Sequence, residues 1–432
     1  MTLLIISPDY ASHLLPLASL GTAWHDAGER VVVATGQATA SIVESFGFEH
    51  APLQLARGSN PGVIRADEQP SGEDDSLRGF FDATRMGMVE TLSYQARERL
   101  TDLMWEPVAT ARAVQLIVDT VQPDSVIVDH LAFSARLALV AHGVQFADVV
   151  LGHPSALPLG DEVYGFPPEW PLAFEPDPKE LAELRELCER VSARFTAEWN
   201  RALAELSPSA PESVEAFHEH GDLLLLNYPA ELAGCRSDSL PPHVFLGSAI
   251  REEPEDREVV EWIASSDEPY VYVSFGSFLS VRSDVLGRVM AALADLGLRA
   301  AIALGSADRA SLGEIPPTFL VREYLPQVTL LRSAAAAVTH GGNNSVTEAM
   351  TYGVPLVVLP FSTDQFAGAA AIEDAGFGVA LAPNTATEAQ LSAAISHVLE
   401  LPRTELDAVA TSLRQAPGRL RARSAMDSSK TT

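Results

Sequence analysis

Short apolar runs alternate with longer helical stretches along the whole chain, and this alternation restricts the fold more than any other feature. In the first half the runs are Leu3–Ile6, Val31–Ala34, Val126–Val128, Ala147–Leu151 and Leu223–Leu226. In the second half they are Tyr270–Val273, Ala300–Ala303, Ala335–Thr339, Pro355–Leu359 and Val379–Leu381. Strands that are apolar throughout are buried on both faces, which is typical of parallel sheets covered by helices. The sequence therefore predicts an α/β fold with one parallel sheet in each half.

The length of 432 residues exceeds the size at which a single hydrophobic core stops growing, so two domains are expected. Prolines and a charge run in Pro241–Asp267 predict a linker there. We therefore expect an N-terminal domain over residues 1–240, a linker over 241–267 and a C-terminal domain over 268–410. Residues 411–432 would form a helix that packs on the first domain or a solvated segment, and Ser424–Thr432 is expected to fray.

Composition excludes several classes of partner. The formal charge of −29 would repel nucleic acid and anionic membrane surfaces. Cys188 and Cys235 form no CxxC pair, which favours a reducing compartment over a disulfide or zinc scaffold. No apolar run reaches the roughly 18 residues of a membrane helix, and no basic region precedes the first apolar run. A cytoplasmic protein without nucleic-acid or membrane partners is predicted.

The strand Ala335–Thr339 is followed by His340-Gly341-Gly342-Asn343-Asn344-Ser345 and then Glu348. Glycines let the backbone approach a bulky anion, and the first amides of a helix point at it with the positive end of the helix dipole. The segment predicts a diphosphate site. A capping box formed by Ser345 and Glu348 is the structural alternative. It would account for those two residues but not for His340 or the paired glycines.

Three segments of the second half together resemble a known signature. They are Tyr324-Leu325-Pro326-Gln327, His340 to Glu348, and Pro360 followed by Asp364-Gln365. Their order and spacing resemble the donor-binding signature of the macrolide-type, nucleotide-sugar-dependent glycosyltransferases that decorate natural products, closely so from Val321 to Leu381. The resemblance implies the GT-B architecture, in which two Rossmann-like domains with parallel sheets face an interdomain cleft.

The resemblance also implies which residues bind the donor. Tyr324 would stack on the nucleobase, the Leu325 backbone would read the base edge, and Gln327 would approach the ribose, whose hydroxyls would donate to Glu348. The diphosphate would be held by His340, Gly342, Asn344 and Ser345 on one side and by Gly276 and Ser277 on the other. Asp364 and Gln365 would face the sugar.

Two residues depart from the family pattern, and one segment has a structural alternative. Plant members of the family commonly carry tryptophan where this chain has Tyr324 and Asn343. Without the resemblance, Ser274-Phe275-Gly276-Ser277 also fits an ordinary strand-to-helix turn. Stacking on the base survives with the smaller tyrosine ring.

Two residues of the first half are candidates for catalysis. His13 follows the first strand and Asp129 ends the strand Val126–Val128, so both should lie at the carboxyl edge of the sheet. A histidine there is a capping or surface residue or, near neutral pH, a general base. The family has its general base in a Gly-His-x-x-Pro segment, which Ser12-His13-Leu14-Leu15-Pro16 resembles with serine in place of glycine. In the family an aspartate at the position of Asp129 orients that histidine.

The function that these features predict is inverting transfer of a sugar from a UDP- or dTDP-sugar to a hydroxyl of a small acceptor. No metal is expected, because no Asp-x-Asp ends a strand. No cofactor is expected, because the nucleotide sugar is a co-substrate. Tyr164, Phe166, Trp170 and Phe174 would form an aromatic or apolar acceptor pocket or, alternatively, a rigid surface loop. The protein would be a monomer or homodimer.

The rival functions are a nucleotide-sugar 2-epimerase and a catalytically silent partner protein of the same fold. The Gln327 and Asp364-Gln365 pattern argues against the epimerase, and the presence of both His13 and Asp129 argues against the silent partner. An NAD-dependent dehydrogenase is disfavoured because no G-x-G-x-x-G follows the first strand.

Overall fold

The computed structural model describes residues 1–60, 62, 73–101 and 103–429, which form two parallel sheets covered by helices. The strands of the first sheet are β1 Thr2–Ile6, β2 Arg30–Thr35, β3 Glu49–Pro52, β4 Ser125–Asp129, β5 Ala147–Val150, β6 Leu223–Leu226 and β7 His243–Phe245. Their order across the sheet is β3-β2-β1-β4-β5-β6-β7.

The second sheet is built the same way from the second half of the chain. Its strands are β8 Tyr270–Ser274, β9 Arg299–Ala303, β10 Phe319–Arg322, β11 Ala336–Thr339, β12 Leu356–Val358 and β13 Gly378–Ala380. Their order is β10-β9-β8-β11-β12-β13. The predicted pair of parallel α/β sheets is confirmed.

The helices flank both sheets. Those before the second sheet are α1 Ala11–His25, α2 Ala40–Ser45, α3 Glu73–Met86, α4 Met88–Thr101, α5 Pro107–Val121, α6 Phe133–Ala141, α7 Pro178–Leu206 and α8 Arg257–Ala264. Those after its first strand are α9 Gly276–Leu279, α10 Ser283–Asp295, α11 Gln327–Leu331, α12 Asn343–Tyr352, α13 Gln365–Asp374, α14 Glu388–Glu400, α15 Thr404–Gln415 and α16 Gly418–Ser429. Within the part of the chain that the structure describes, no helix has the length and apolar character needed to cross a membrane.

The apolar runs form the centres of both sheets because their side chains are buried on both faces. In β1, Leu3, Leu4, Ile5 and Ile6 have no exposed surface. Leu3 and Ile5 pack in one cluster with Leu14, Leu17 and Trp24 of α1, while Leu4 and Ile6 belong to the cluster on the other face.

Each sheet has one point at which the strand order reverses. In the first sheet β1 lies between β2 and β4, and in the second sheet β8 lies between β9 and β11. The chain leaves the two central strands toward opposite faces, so a crevice opens at their carboxyl ends. The carboxyl ends of β1, β4, β8 and β11 therefore border the two crevices, and His13, Asp129, Gly276 and His340 lie at or just after these ends.

The segment predicted as a linker is more ordered than expected. Strand β7 lies in its first part and pairs in parallel with β6, and helix α8 occupies its last part. Asp256 caps α8 by accepting from the Val259 amide at 3.3 Å. Proline and charge did not reveal the short edge strand in this segment.

The end of the described chain packs on the first domain. In α16, Ala422 and Met426 are buried in the cluster that contains Leu17 and Trp24 of α1. Arg423 donates to the Ala23 carbonyl at 2.6 Å and to Glu29 at 2.7 Å. The prediction that the chain frays from Ser424 is therefore wrong up to Ser429, because Met426 is buried against α1; residues 430–432 lie outside the described residues.

Candidate active site

A cavity of about 810 Å³ lies between the two sheets and is lined by residues of both domains. From the first sheet it receives His13 and Asp129, and from the second it receives the segments after β8 and β11. Among the predicted donor contacts, Glu348 does not line it. The other predicted contacts that line it are Gly276, Ser277, Tyr324, Leu325, Gln327, His340, Gly342, Asn344, Ser345, Asp364 and Gln365.

His13 and Asp129 are in direct contact, as their strand positions predicted. The His13 Nδ1 and Asp129 Oδ2 atoms are 2.7 Å apart. The other Asp129 oxygen accepts from the Leu131 amide at 2.8 Å, so the carboxylate is held from both sides. Because Nδ1 faces Asp129, Nε2 is the ring nitrogen left for a substrate.

The surroundings of His13 act on its proton affinity in opposite directions. Burial disfavours the imidazolium, but the charge and hydrogen bond of Asp129, with a smaller contribution from Asp364, outweigh it. The pKa of His13 is therefore raised above its ordinary value of 6.5. Asp129 is 1% exposed and His13 is 23% exposed, so the imidazole is the part of the pair that a ligand can reach.

The start of α12 presents free backbone donors to the cavity. Gly342 is its N-cap, no side chain of the described residues caps it, and the Val346 amide makes the first bond of the helix, to the Gly342 carbonyl at 3.1 Å. The amides of Asn343, Asn344 and Ser345 thus lack a partner within the helix. Such a helix start favours an anion.

The capping-box alternative is wrong. The Ser345 hydroxyl donates to Gln327 Oε1 at 3.3 Å rather than accepting from a helix amide. The Glu348 carboxylate accepts from Arg251 at 2.7 Å and from Gln327 Nε2 at 2.6 Å. Neither side chain of the proposed box therefore satisfies the helix terminus.

Two glycines make room for the His340 ring. A Cβ on Gly342 would lie 2.3 Å from His340 Nε2, and a Cβ on Gly276 would lie 2.8 Å from Cε1. Gly276 also has a φ of +70°, which side chains disfavour. Burial lowers the pKa of His340 to about 4, against a weaker opposing hydrogen bond with the Ser274 backbone. The ring is therefore neutral at pH 7 and carries a single N–H.

Arg251 joins Glu348, which does not line the cavity, to the cavity wall. The Arg251 guanidinium contacts Glu348 at 2.7 Å and Glu253 at 3.0 Å, and Arg251 itself lines the cavity. Burial raises the pKa of Glu348, because it outweighs the opposing effects of Arg251 and Gln327. Sequence reasoning missed Arg251, since no local pattern relates it to a glutamate 97 positions later.

Several predicted donor residues also join the two domains. The Asn344 side-chain amide donates to the Ser12 carbonyl at 2.9 Å, directly before His13. Asp364 Oδ2 accepts from the His153 amide at 2.7 Å. The Asn60 side-chain amide donates to the Ser277 hydroxyl at 3.3 Å. The helix that bears the histidine is thereby held against the start of α12.

The remaining predicted residues border the same space. Tyr324 is 61% exposed, whereas Leu325 is buried. Gln365 Oε1 accepts from the amides of Phe361 and Ser362 at 3.0 and 3.2 Å, which fixes the loop that carries Asp364. Across the described residues, no group of three or more histidine, cysteine, aspartate or glutamate side chains is placed to hold a metal ion.

The predicted aromatic loop contributes only part of the cavity wall. Tyr164 and Phe166 line the cavity, while Trp170 and Phe174 pack in the cluster beside α7. The Tyr164 ring stacks on Phe217 with centroids 3.9 Å apart. Sequence reasoning missed the wall formed by the α3–α4 hairpin, which includes Phe80, Tyr94 and Arg99.

Comparison with known proteins places the chain in a family. The model of the family described as UDP-glucoronosyl and UDP-glucosyl transferase matches residues 186–410, more than half of the chain. The chain belongs to this family. The matched part of this UDP-glucosyl transferase family member contains every predicted donor residue, whereas His13 and Asp129 lie before it.

Relatives of this family member include 4'-demethylrebeccamycin synthase of Lentzea aerocolonigenes, 25% identical over 92% of this chain and 91% of the relative. The chain spans about half or less of the length of several other curated relatives that it matches. The spinosyn forosaminyltransferase SpnP is 18% identical and covers 100% of both chains with a TM-score of 0.71. The spinosyn rhamnosyltransferase SpnG complexed with thymidine diphosphate is 17% identical, with a TM-score of 0.66 over 99% of this chain and 100% of the other. The GT-B fold of this family member is thereby confirmed.

Proposed function

We propose that this protein is an inverting glycosyltransferase that moves a sugar from a UDP- or dTDP-sugar to a hydroxyl group of a small aromatic or apolar acceptor. One observation carries the proposal. The His13–Asp129 pair, with its 2.7 Å contact, lines the same cavity as the free amides at the start of α12. A base and an anion site in one cavity are the two groups that a single displacement at an anomeric carbon requires.

His13 acts as the general base in this mechanism. Its Nε2 takes the proton of the acceptor hydroxyl while the oxygen attacks the anomeric carbon, and the bond from that carbon to the diphosphate oxygen breaks. Asp129 stabilises the imidazolium and fixes the ring. Because the attack comes from the face opposite the diphosphate, the anomeric configuration inverts.

The leaving diphosphate is stabilised without a metal ion. The amides of Asn343, Asn344 and Ser345 donate to its oxygens, and the neutral His340 ring lies beside them. Gly342 and Gly276 let the backbone approach, and Ser277 lies on the other side. No cofactor takes part, since the sugar nucleotide is a co-substrate.

The donor and acceptor classes follow from the two ends of the cavity. The family description names UDP-sugars and the SpnG structure holds thymidine diphosphate, which supports a nucleoside diphosphate sugar of either base. Tyr324, Leu325 and Gln327 would contact the base and ribose, with Glu348 acting there through Arg251 or directly. Asp364 and Gln365 would face the sugar. Tyr164, Phe166 and Leu131 at the other end support an aromatic or apolar acceptor.

Calorimetry with UDP, dTDP and NAD tests the donor site, and a transfer assay with hydroxylated aromatic acceptors in excess EDTA tests the reaction. We expect saturable binding of UDP or dTDP but not of NAD, and transfer that persists in EDTA with inverted anomeric configuration by NMR. Conversion of the sugar nucleotide to an epimer without an acceptor would point to an epimerase. Lack of binding of both nucleotides by folded protein would contradict the proposal.

A further inference from the structure

The acceptor end of the cavity contains a positive charge to which the proposed mechanism gives no role. Arg99 of α4 lines the cavity and is half-buried. Its guanidinium carbon lies 5.1 Å from the centroid of the Tyr164 ring. The same ring stacks on Phe217, so Tyr164 contacts both a phenylalanine and an arginine.

The loop that carries Tyr164 is shaped to admit the guanidinium. A Cβ on Gly165 would lie 2.6 Å from Arg99 Nη1, which is closer than nonbonded atoms approach. Gly165 has a φ of +87°, a backbone conformation that glycine tolerates and other residues disfavour. The glycine at position 165 therefore leaves room for the Arg99 side chain beside the cavity.

The charge of Arg99 is not balanced by a carboxylate. Among the described residues, none accepts a hydrogen bond from Arg99 or lies within ion-pair distance of it, although Glu98, Asp129, Glu323 and Asp364 line the same cavity. Three of these carboxylates have other partners: Asp129 contacts His13, Asp364 accepts from the His153 amide, and Glu98 accepts from Ser76.

Arg251 is the other arginine among the described cavity-lining residues, and unlike Arg99 it contacts carboxylates. It contacts Glu348 at 2.7 Å and Glu253 at 3.0 Å, so its charge is compensated at the nucleotide end. A guanidinium stacked on a ring keeps its N–H groups in its own plane, where they match the two oxygens of a carboxylate. In a chain with a net charge of −29, an uncompensated arginine at the acceptor end selects for an anionic ligand.

We propose that Arg99 binds a carboxylate of the acceptor, so that the acceptor is a hydroxylated aromatic carboxylic acid. This inference rests on the proposed function, because it takes the Tyr164 end of the cavity to be the acceptor site. The carboxylate lies against Arg99 and the aromatic body against Tyr164 and Phe166, with the hydroxyl directed to His13.

Binding rather than turnover tests this proposal, so the result does not depend on transfer activity. Calorimetry would compare acid and methyl ester in three pairs: 4-hydroxycinnamic acid, 6-hydroxy-2-naphthoic acid and a hydroxyanthraquinone carboxylic acid, each with and without UDP or dTDP. We expect at least one acid to bind about 10- to 100-fold more tightly than its ester, as for a hydrogen bond to a charged group. Acids that bind no better than their esters, or that do not bind at all, would overturn the proposal.

Two matched variants separate charge from packing. Arg99→Met keeps the stem against Tyr164 and should remove the preference for the acid while leaving the affinity for the ester within about twofold. Arg97→Met, on the exposed side of the same helix, should leave both affinities unchanged. If Arg99→Met lowers acid and ester equally, Arg99 is only a packing residue. If the Arg99→Met variant does not fold, the comparison of acid and ester binding to the wild-type protein still tests the proposal. Nucleotide binding to the same preparations reports separately on the proposed transferase function.

Discussion

At the scale of single residues, Asp129 determines both the orientation and the proton affinity of His13. The carboxylate is almost completely buried and contacts Nδ1 at 2.7 Å, so it favours the tautomer with the proton on Nδ1. It also offsets the burial that would otherwise lower the pKa of the imidazole. The same contact therefore leaves Nε2 unprotonated for catalysis and sets the pH at which this state is lost.

The pH dependence of transfer should report this contact. A general base works only when neutral, so kcat/KM should fall as pH decreases through the raised pKa of His13, with an inflection above 6.5. Asp129→Asn removes the negative charge, so the inflection should move to lower pH and the plateau should fall about 10²- to 10⁴-fold. A pH–rate profile of both proteins checks this. An inflection that stays in place in Asp129→Asn would mean that Asp129 does not act on the titrating group.

Glu348 gives a second prediction at this scale. In Glu348→Gln the amide cannot accept from both Arg251 and Gln327, so both side chains at the nucleotide end lose their fixed positions. We expect UDP or dTDP affinity to fall about tenfold or more in calorimetry. Glu388→Gln, at an exposed position of α14, is the control and should change nothing. Unchanged affinity with a lower melting temperature in Glu348→Gln would show that Glu348 only stabilises the fold.

At the scale of elements, the start of α12 depends on glycine to hold His340 beside the free amides. A methyl group at Gly342 would overlap the imidazole, whose Nε2 lies 2.3 Å from the Cβ position. Because His340 also packs against Gly276, it has little space into which to move. The segments after β8 and β11 therefore pack against each other through the His340 ring.

Substitution of two glycines tests this arrangement. Gly342→Ala should displace His340 and weaken nucleotide binding about tenfold or more in calorimetry. Gly287 lies inside α10 with open space around its Cβ position, so Gly287→Ala should leave nucleotide binding unchanged and stabilise the protein by about 0.5–1 kcal/mol. Equal nucleotide affinity in both variants would argue against a role of His340 and Gly342 in anion binding.

The elements also show what the sequence could predict. The central strands were recognisable because both of their faces are buried. Strand ends placed His13 and Asp129 at one edge of the sheet, and the family resemblance implied their pairing. The edge strand β3, Glu-His-Ala-Pro, has no apolar run to reveal it. Contacts such as Asn344 with Ser12, or Arg251 with Glu348, depend on how distant segments come together, which no local pattern specifies.

At the scale of the whole molecule, α16 returns from the second domain to the first and fixes the end of the described chain on α1. The buried Ala422 and Met426 supply the apolar contact, and two arginines supply polar ones. Arg423 reaches the Ala23 carbonyl and the mostly buried Glu29. Arg419 contacts Asp26; the Arg419 side chain is 36% exposed and that of Asp26 is 59% exposed.

Variants at Arg423 and Arg419 form a matched pair for measuring how much the contacts of α16 with the first domain stabilise the protein. Arg423→Ala should lower the free energy of unfolding by about 1–3 kcal/mol, since it leaves Glu29 and a backbone carbonyl without their donor. Arg419→Ala should lower it by less than about 1 kcal/mol, because the exposed pair is screened by solvent. Urea denaturation measures both values. Equal losses would mean that the contacts of Arg423 do not stabilise α16 on the first domain.

The most direct test of the whole account is to measure sugar transfer and nucleotide affinity in the same preparations of wild type, His13→Ala and His25→Ala. His25 is the exposed last residue of α1 and serves as the control. We predict that His13→Ala loses transfer by about 10²-fold or more while its affinity for UDP or dTDP stays within about twofold, and that His25→Ala keeps both. Full transfer by His13→Ala would contradict the assignment of the base, and a parallel loss of nucleotide binding would place His13 in the donor site.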